Sequence, residues 1–198
     1  MITILGITGG IGSGKSYVCH LLEKHFQIPI YYSDDEAKRL NVTDKVIRKE
    51  LTRLVGPDVY LENGELNKPV LANYLFASDA HAKQVNAIIH PRVKADFKKW
   101  VKKQKTDIVA MECAILVESG FDVLVDKIIT VTAPEDVRLE RIIQRDHTTE
   151  EKARERMNLQ TSDEERLLHS DYHIVNDGHT DIVQQLQAVL SFFRNNAL

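Results

Sequence analysis

Short apolar, β-branched runs alternate along this chain with stretches in which apolar side chains recur at helical spacing. The runs at Ile2–Thr8, Asp107–Glu112 and Lys127–Val131 are nearly continuous in apolar character. Strands covered on both faces read this way, whereas strands with one wet face alternate. Gln27–Tyr32 and Tyr172–Val175 predict two further strands. Between them, Val18, Leu21, Leu22 and Phe26 mark a helix over Ser16–Phe26, and Val137, Leu139, Ile142 and Ile143 mark another over Glu135–Asp146. Ile182, Leu186, Val189, Leu190 and Phe193 mark a closing helix over Thr180–Phe193. Strands alternating with helices predict a doubly wound α/β fold with a five-stranded parallel sheet.

Two stretches break the rhythm. Residues 34–105 carry several helical patterns and no clear strand, which predicts a helical insertion between the second and third strands. Residues 148–169 are rich in charge and poor in apolar side chains, as a mobile surface segment would be. There is no internal repeat and no low-complexity linker.

The 198 residues suffice for one sizeable core, and 43% hydrophobic with 28% charged residues is globular composition. A net charge of −3 gives no electrostatic case for nucleic-acid binding. Cys19 and Cys113 read as buried thiols in a reducing, cytoplasmic setting. The N-terminus lacks the basic region of a signal peptide, and no apolar run approaches membrane-spanning length, so a soluble protein is expected. The histidines show no metal-ligand spacing.

The first strand runs into Gly9-Gly10-Ile11-Gly12-Ser13-Gly14-Lys15-Ser16, a full match to G-x-x-x-x-G-K-S/T. A strand precedes it and a helix follows, as that motif requires. Glycines let the backbone close around phosphate oxygens. The amides of the loop then point inward, joined by the positive end of the following helix. Lys15 supplies charge for the β- and γ-phosphates, and Ser16 offers a hydroxyl to Mg²⁺. ATP and Mg²⁺ are therefore the expected cofactors. The guanine-reading pattern N-K-x-D and the switch pattern D-x-x-G are both absent from the sequence. A small-molecule kinase is thus favoured over a GTPase switch.

Ser33-Asp34-Asp35 follows the second strand, at the edge where open α/β sheets bind ligands. Asp34 can serve as base for an accepting hydroxyl, and Ser33 can cap the helix that starts there. Arg138, Arg141 and Arg145 share one helix face, followed by Arg154 and Arg156. Guanidiniums of this kind neutralise charge on a transferred phosphoryl group, although an ordinary solvated face has the same pattern. The lysines from Lys94 to Lys105 surround Val93, Phe97, Trp100 and Val101 and read as a solvated helix face.

Taken in order, these segments resemble the dephospho-coenzyme A kinase family. Gly6 to Ser16 is similar to that family's extended P-loop, and His90-Pro91-Arg92-Val93 to its His-Pro signature. The segment Glu112 to Gly120 resembles its D-x-P-L-L-F-E, with Glu112 and Ala114 in place of Asp and Pro. Arg145-Asp146 and Ala153 to Gln160 resemble its lid, and Asp171 with Asn176-Asp177-Gly178 its closing segment. Tyr32-Ser33-Asp34 stands where the family has Asp-Ala-Asp, so Asp34 alone is kept. The resemblance implies a nucleotide core over 1–33, 106–147 and 170–198, an acceptor domain over 34–105 and a lid over 148–169. It implies nucleotide contacts from Gly10, Ile11, Gly12, Ser13, Gly14, Lys15, Ser16, Arg141 and Asn176, with Ser16 also on the metal. It implies acceptor contacts from Thr8, Asp34, His90, Arg92 and Glu118, and catalytic roles for Asp34, Lys15 and Arg145. Pro91 is expected to fix a local bend. The implied partners are ATP and dephospho-coenzyme A, and a monomer is expected. The residues themselves leave open another small-molecule kinase, such as a nucleoside monophosphate kinase, or a nucleotide-binding regulatory module without turnover.

Overall fold

Each strand forms close to its predicted apolar run: β1 (Thr3–Thr8), β2 (Ile30–Tyr32), β3 (Ile108–Glu112), β4 (Lys127–Thr132) and β5 (Tyr172–Val175). The helices are α1 (Lys15–Phe26), α2 (Ser33–Thr43), α3 (Lys45–Val55), α4 (Lys68–Phe76), α5 (Asp79–Val101), α6 (Glu135–Asp146), α7 (Glu150–Asn158), α8 (Asp163–Leu168) and α9 (Ile182–Asn195). They are those of a computed structural model that describes residues 2–195; Met1 and residues 196–198, which the expected core included, lie outside the described residues.

The sheet order is β2-β3-β1-β4-β5, with β1 parallel to both β3 and β4, and β4 parallel to β5. The chain leaves β1 toward β2 but leaves β4 toward β5 on the other side. Loops that diverge from neighbouring strands open a crevice at their carboxyl ends, and such crevices hold ligands in folds of this type. Leu5, Ile7, Val109, Met111, Ile129, Val131 and Ile174 are fully buried, which explains the continuous apolar runs.

The second strand is shorter than its pattern predicts. Gln27 takes a left-handed backbone, φ 55, and caps α1 by donating its N–H to the Glu23 and Leu22 carbonyls. The β-branched residues after it therefore begin as a helix exit. The Pro29 carbonyl still accepts the Ala110 N–H at 2.9 Å, which brings this segment onto the sheet before β2 begins.

The chain divides into two compact units, 1–31 with 104–198, and 32–103. The first contains the sheet, α1 and α6 to α9. Residues 148–169 fold as α7 and α8 and are more rooted than their composition suggests. Ala153 is fully buried in a cluster with Leu139 and Ile142, with Ile11 and Met157 packed alongside. No helix among the described residues is long and apolar enough to cross a membrane.

The second unit is helical. Ile47, Leu51, Val59, Val85, Val93 and Phe97 are buried within it. The helix α5 buries Val85, Ile89, Val93 and Phe97 on one face, and it continues through Pro91. The expected bend at Pro91 thus does not end the element. Asp44 joins two helices of this unit. Its Oδ1 caps α3 by accepting the Val46 and Ile47 amides at 2.8 and 3.0 Å. Its Oδ2 accepts Arg92 Nε and Nη2 at 2.9 and 2.7 Å. Burial pushes the Asp44 carboxyl up, but Arg92 and the two amides outweigh it and hold the group below the usual carboxylate range.

A carboxyl lowered in the folded state stabilises above its unfolded pKa, and this contribution is lost as pH falls through the folded value. Asp44→Ala should lower unfolding free energy by about 1–2 kcal/mol, the scale of a lost helix cap. Asp44→Asn should keep the cap and lose the charge. Its deficit in urea unfolding should be full at neutral pH, begin to shrink only as pH falls below the ordinary aspartate value of about 4, and vanish once pH is below the lowered folded-state value. A deficit independent of pH would refute the ion pair's contribution.

Candidate active site

The loop Gly9–Ser16 leaves β1 at the crevice and turns into α1 at Lys15. Gly14 is the N-cap of α1, with φ 90 and no side chain to occupy the first amides of the helix. A Cβ on Gly14 would lie 2.0 Å from Asn176 Nδ2, so backbone conformation and space both demand glycine. No acidic residue occupies the first turn of α1, which keeps its N-terminus attractive to anions.

Asn176, just past β5, locks the loop. It is buried; its Nδ2 donates to the Ser13 carbonyl at 2.8 Å, and its Oδ1 accepts from Arg141 Nη2 at 3.2 Å. Its backbone N–H donates to the Thr132 carbonyl at 2.8 Å. Arg141 Nη1 reaches the Gly12 carbonyl at 3.4 Å. Lys15 Nζ donates to the Gly9 carbonyl at 2.8 Å and reaches the Gly10 carbonyl at 3.4 Å. The ammonium therefore folds back on its own loop instead of standing in solvent, poised where phosphate oxygens would compete for it.

A cavity of about 350 Å³ opens at this point, lined by Gly12, Gly14, Lys15, Ser16, Arg141 and Arg145 together with Ile11, Ala114 and Gln160. Two guanidiniums, one ammonium and the end of a helix thus face one space, and the Ser16 hydroxyl lies on its wall. The arginines that share one face of α6 in sequence have separate fates. Arg141 is part of the wall. Arg145 lines the cavity while its Nε and Nη2 donate to Asp146, at 2.8 and 3.0 Å. Arg138 lies behind the loop, buried, with Nε on the Ile11 carbonyl at 2.9 Å. Arg154 pairs with Glu150 and Glu135, and Arg156 with Asp146, all at the surface.

The remaining expected site residues are distributed as follows. Thr8 is buried and donates its hydroxyl to the Ala114 carbonyl at 3.3 Å, tying the ends of β1 and β3. Glu118 accepts the Thr161 hydroxyl at 2.6 Å. Asp34, His90 and Arg92 belong to the helical unit. Asp34 is exposed in the first turn of α2 beside Asp35 and Glu36. Lys38 pairs with Asp35 and Arg39 with Glu36, whereas Asp34 has no ion pair among the described residues. The expected Ser33 cap is not formed. The helix starts at Ser33 itself with Tyr32 as N-cap, and the Ser33 hydroxyl is buried without a hydrogen-bond partner among the described residues. His90 is half-buried on α5, and burial, with Lys94 nearby, lowers its pKa from the ordinary imidazole value.

The strand order, the glycine loop on β1 and the cationic cavity define a P-loop phosphotransferase of the kinase class. The chain belongs to the dephospho-CoA kinase family, whose model matches residues 3–181. A dephospho-CoA kinase from Bacteroides fragilis (strain YCH46) is 50% identical over 189 residues, which is 95% of this chain and 91% of that protein. The crystal structure of TT1252 from Thermus thermophilus is similar at a TM-score of 0.84 and 29% identity, covering 96% of this chain and 97% of that one. A dephospho-CoA kinase from Campylobacter jejuni shares the fold, with a TM-score of 0.71 at 20% identity and full coverage of both chains. The chain is therefore a kinase.

The pattern along the chain marks Arg138 only as one of a face of arginines and Gln160 only as the end of a segment that resembles the family's lid; it points to neither as a support for the loop, and it does not single out Asp163. Gln160 Oε1 accepts the Ile11 N–H at 2.7 Å, and nothing local to either residue announces that bond.

Asn176 provides a direct check on how the loop is held. Asn176→Ala should weaken ATP binding and cost about 1–3 kcal/mol of stability, because it leaves the Ser13 carbonyl without its donor. Asn176→Asp should be no better. Its carboxylate can still accept from Arg141 but sets two acceptors against each other at Ser13. Calorimetry with ATP and thermal melts would read both effects. Recovery of ATP affinity in Asn176→Asp would show that the Arg141 contact alone matters.

Proposed function

We propose that the chain transfers the γ-phosphoryl group of ATP to the ribose 3′-hydroxyl of dephospho-coenzyme A, giving coenzyme A and ADP. The cavity at the loop carries this reading, since Lys15, Arg141, Arg145 and the start of α1 converge there on space for a polyphosphate. Family membership supplies the acceptor. Two buried thiols suit the reducing cytoplasm to which we assign the reaction.

In this mechanism the loop amides and Lys15 hold the β- and γ-phosphates, and Arg145 leaves Asp146 to meet the charge that develops on the transferred group. The acceptor oxygen forms a bond to the γ-phosphorus as the bond to the β–γ bridging oxygen breaks. The hydroxyl proton passes to Asp34, the carboxylate of the α2 first turn that no cation pairs among the described residues. Positioning and charge stabilisation do most of the catalysis in phosphoryl transfer. No cluster of three or more carboxylate, histidine or cysteine ligands occurs among the described residues. The exposed Ser16 hydroxyl fits Mg²⁺, which keeps most of its waters and takes further ligands from phosphates. Mg²⁺, when bound with ATP, supplies positive charge to the phosphate oxygens. His90 and Arg92, on the helical unit, are assigned to the acceptor, and Asp44 holds Arg92 in place for that role. Segment 148–169 is assigned as the lid that excludes water.

ATP consumption that requires dephospho-coenzyme A tests the reaction. Asp34→Asn should lower kcat by about 10²–10⁴-fold, the usual worth of a general base, with ATP affinity little changed, and Asp35→Asn should do far less. Equal losses in the two variants would remove Asp34 from this role. For the lid, hydrogen exchange over 148–169 should slow when both substrates are present. High protection already present without ligands, and unchanged by them, would count against closure.

A further inference from the structure

Ile11, in the middle of the phosphate loop, is held on three sides by the same part of the molecule. Its side chain packs on the cluster of Leu139, Ile142 and Ala153, as does that of Met157. Its N–H donates to Gln160 Oε1 at 2.7 Å. Its carbonyl accepts from Arg138 Nε at 2.9 Å. The other arm of that guanidinium, Nη1, donates to Asp163 Oδ2 at 3.1 Å. Asp163 Oδ1 accepts in turn from Arg166 Nη1 at 3.3 Å.

The depth of these contacts separates them from the other ion pairs of the segment. The Arg138 and Asp163 side chains are 11% and 18% exposed, whereas Arg154 and Arg156 are 47% and 50% exposed. Exposed pairs contribute little, while removing one member of a buried pair is strongly destabilising. The contacts that end at Ile11 are thus the ones that energetically join segment 148–169 to the loop. Arg138 is also suited to a bridge and unsuited to the nucleotide. It is absent from the wall of the loop cavity and instead lines a second cavity of about 360 Å³ behind it, with Thr161, Ser162 and Asp163. A Cβ on Gly10 would lie 2.3 Å from its Nη2, so the guanidinium is pressed against the back of the loop. A planar fork can serve a carbonyl and a carboxylate at fixed angles at once, which an ammonium cannot.

We infer that Arg138 is a positioning residue that shapes the phosphate loop through the Ile11 peptide, and that Asp163 and Gln160 make this support conditional on the placement of segment 148–169. The loop and that segment then move as a coupled pair. A phosphate group that reshapes the loop changes the hold on α8, and displacement of α8 loosens the loop. This rests on the kinase reading above and adds to it a route by which nucleotide binding is sensed.

The test compares wild type, Arg138→Ala, Arg138→Lys, Asp163→Asn, Gln160→Ala and the Arg138→Ala/Asp163→Asn double variant. ATP and dephospho-coenzyme A are varied separately, and amide exchange is followed in the peptide that spans the loop. Arg138→Ala should raise the ATP KM about 10–100-fold, the scale of a charged hydrogen bond, and leave the acceptor KM unchanged. Arg138→Lys should not restore it. Asp163→Asn and Gln160→Ala should speed exchange in the loop peptide as well as in 158–169, and the double variant should be no worse than Arg138→Ala alone. Lower melting temperatures with an unchanged ATP KM and unchanged loop exchange would reduce these contacts to structural ones and overturn the inference, as would full additivity in the double variant. Should Arg138→Ala not fold, Asp163→Asn and Gln160→Ala decide the matter on loop exchange. Should wild type bind ATP without using this acceptor, the reaction assignment fails, and ATP affinity by calorimetry still decides the coupling.

Discussion

The carboxamide of Asn176 is the contact on which the active-site geometry depends. It gives its donor to the Ser13 carbonyl and its acceptor to Arg141, and its own backbone is fixed on Thr132 at the end of β4. The residues it joins lie 163 positions apart. The shape of the phosphate loop therefore rests on the β1-β4-β5 edge that brings these distant residues together, and not on local sequence. Glycine at position 14 is then demanded by its neighbour as much as by the ligand, because the amide nitrogen of Asn176 occupies the space a side chain would need.

Behind the loop, Arg138 extends the same principle with charge. One face of α6 presents three arginines at helical spacing, yet each has its own task. One supports the loop from behind, one lines its wall, and one waits at the mouth on Asp146. The exposed pairs of Arg154 and Arg156 contribute charge without fixing geometry. Burial divides these roles, and burial is set by what packs against α6 from α7 and α8.

That division explains how far the chain could be read. The strands with continuous apolar runs were legible because both faces are covered, and the loop was legible because phosphate binding demands its glycines, Lys15 and Ser16. Gln27 to Pro29 misled because a left-handed cap and a β-branched strand share residue types until the backbone is seen. Ser33 misled because serine before acidic residues signals a cap, while the helix here starts at that serine and buries its hydroxyl. The charged composition of 148–169 concealed Ala153, a small side chain that packs fully without an apolar stripe. Gln160 to Ile11 and Arg138 to Asp163 are pairings between remote segments, and no periodicity encodes a partner.

The two cysteines have a practical consequence. Cys19, on the helix that leaves the loop, and Cys113, at the end of β3, are both buried. Burial, reinforced by the nearby Glu112, holds the Cys19 thiol well above its ordinary pKa. A thiol in that state offers little thiolate to electrophiles or oxidants. The outer face of the enzyme is accordingly silent to maleimide chemistry, so a cysteine introduced on α7 or α8 would accept a fluorophore or spin label selectively. Both native residues could stay in place, and any displacement of segment 148–169 on adding nucleotide could be followed spectroscopically in an otherwise unaltered chain.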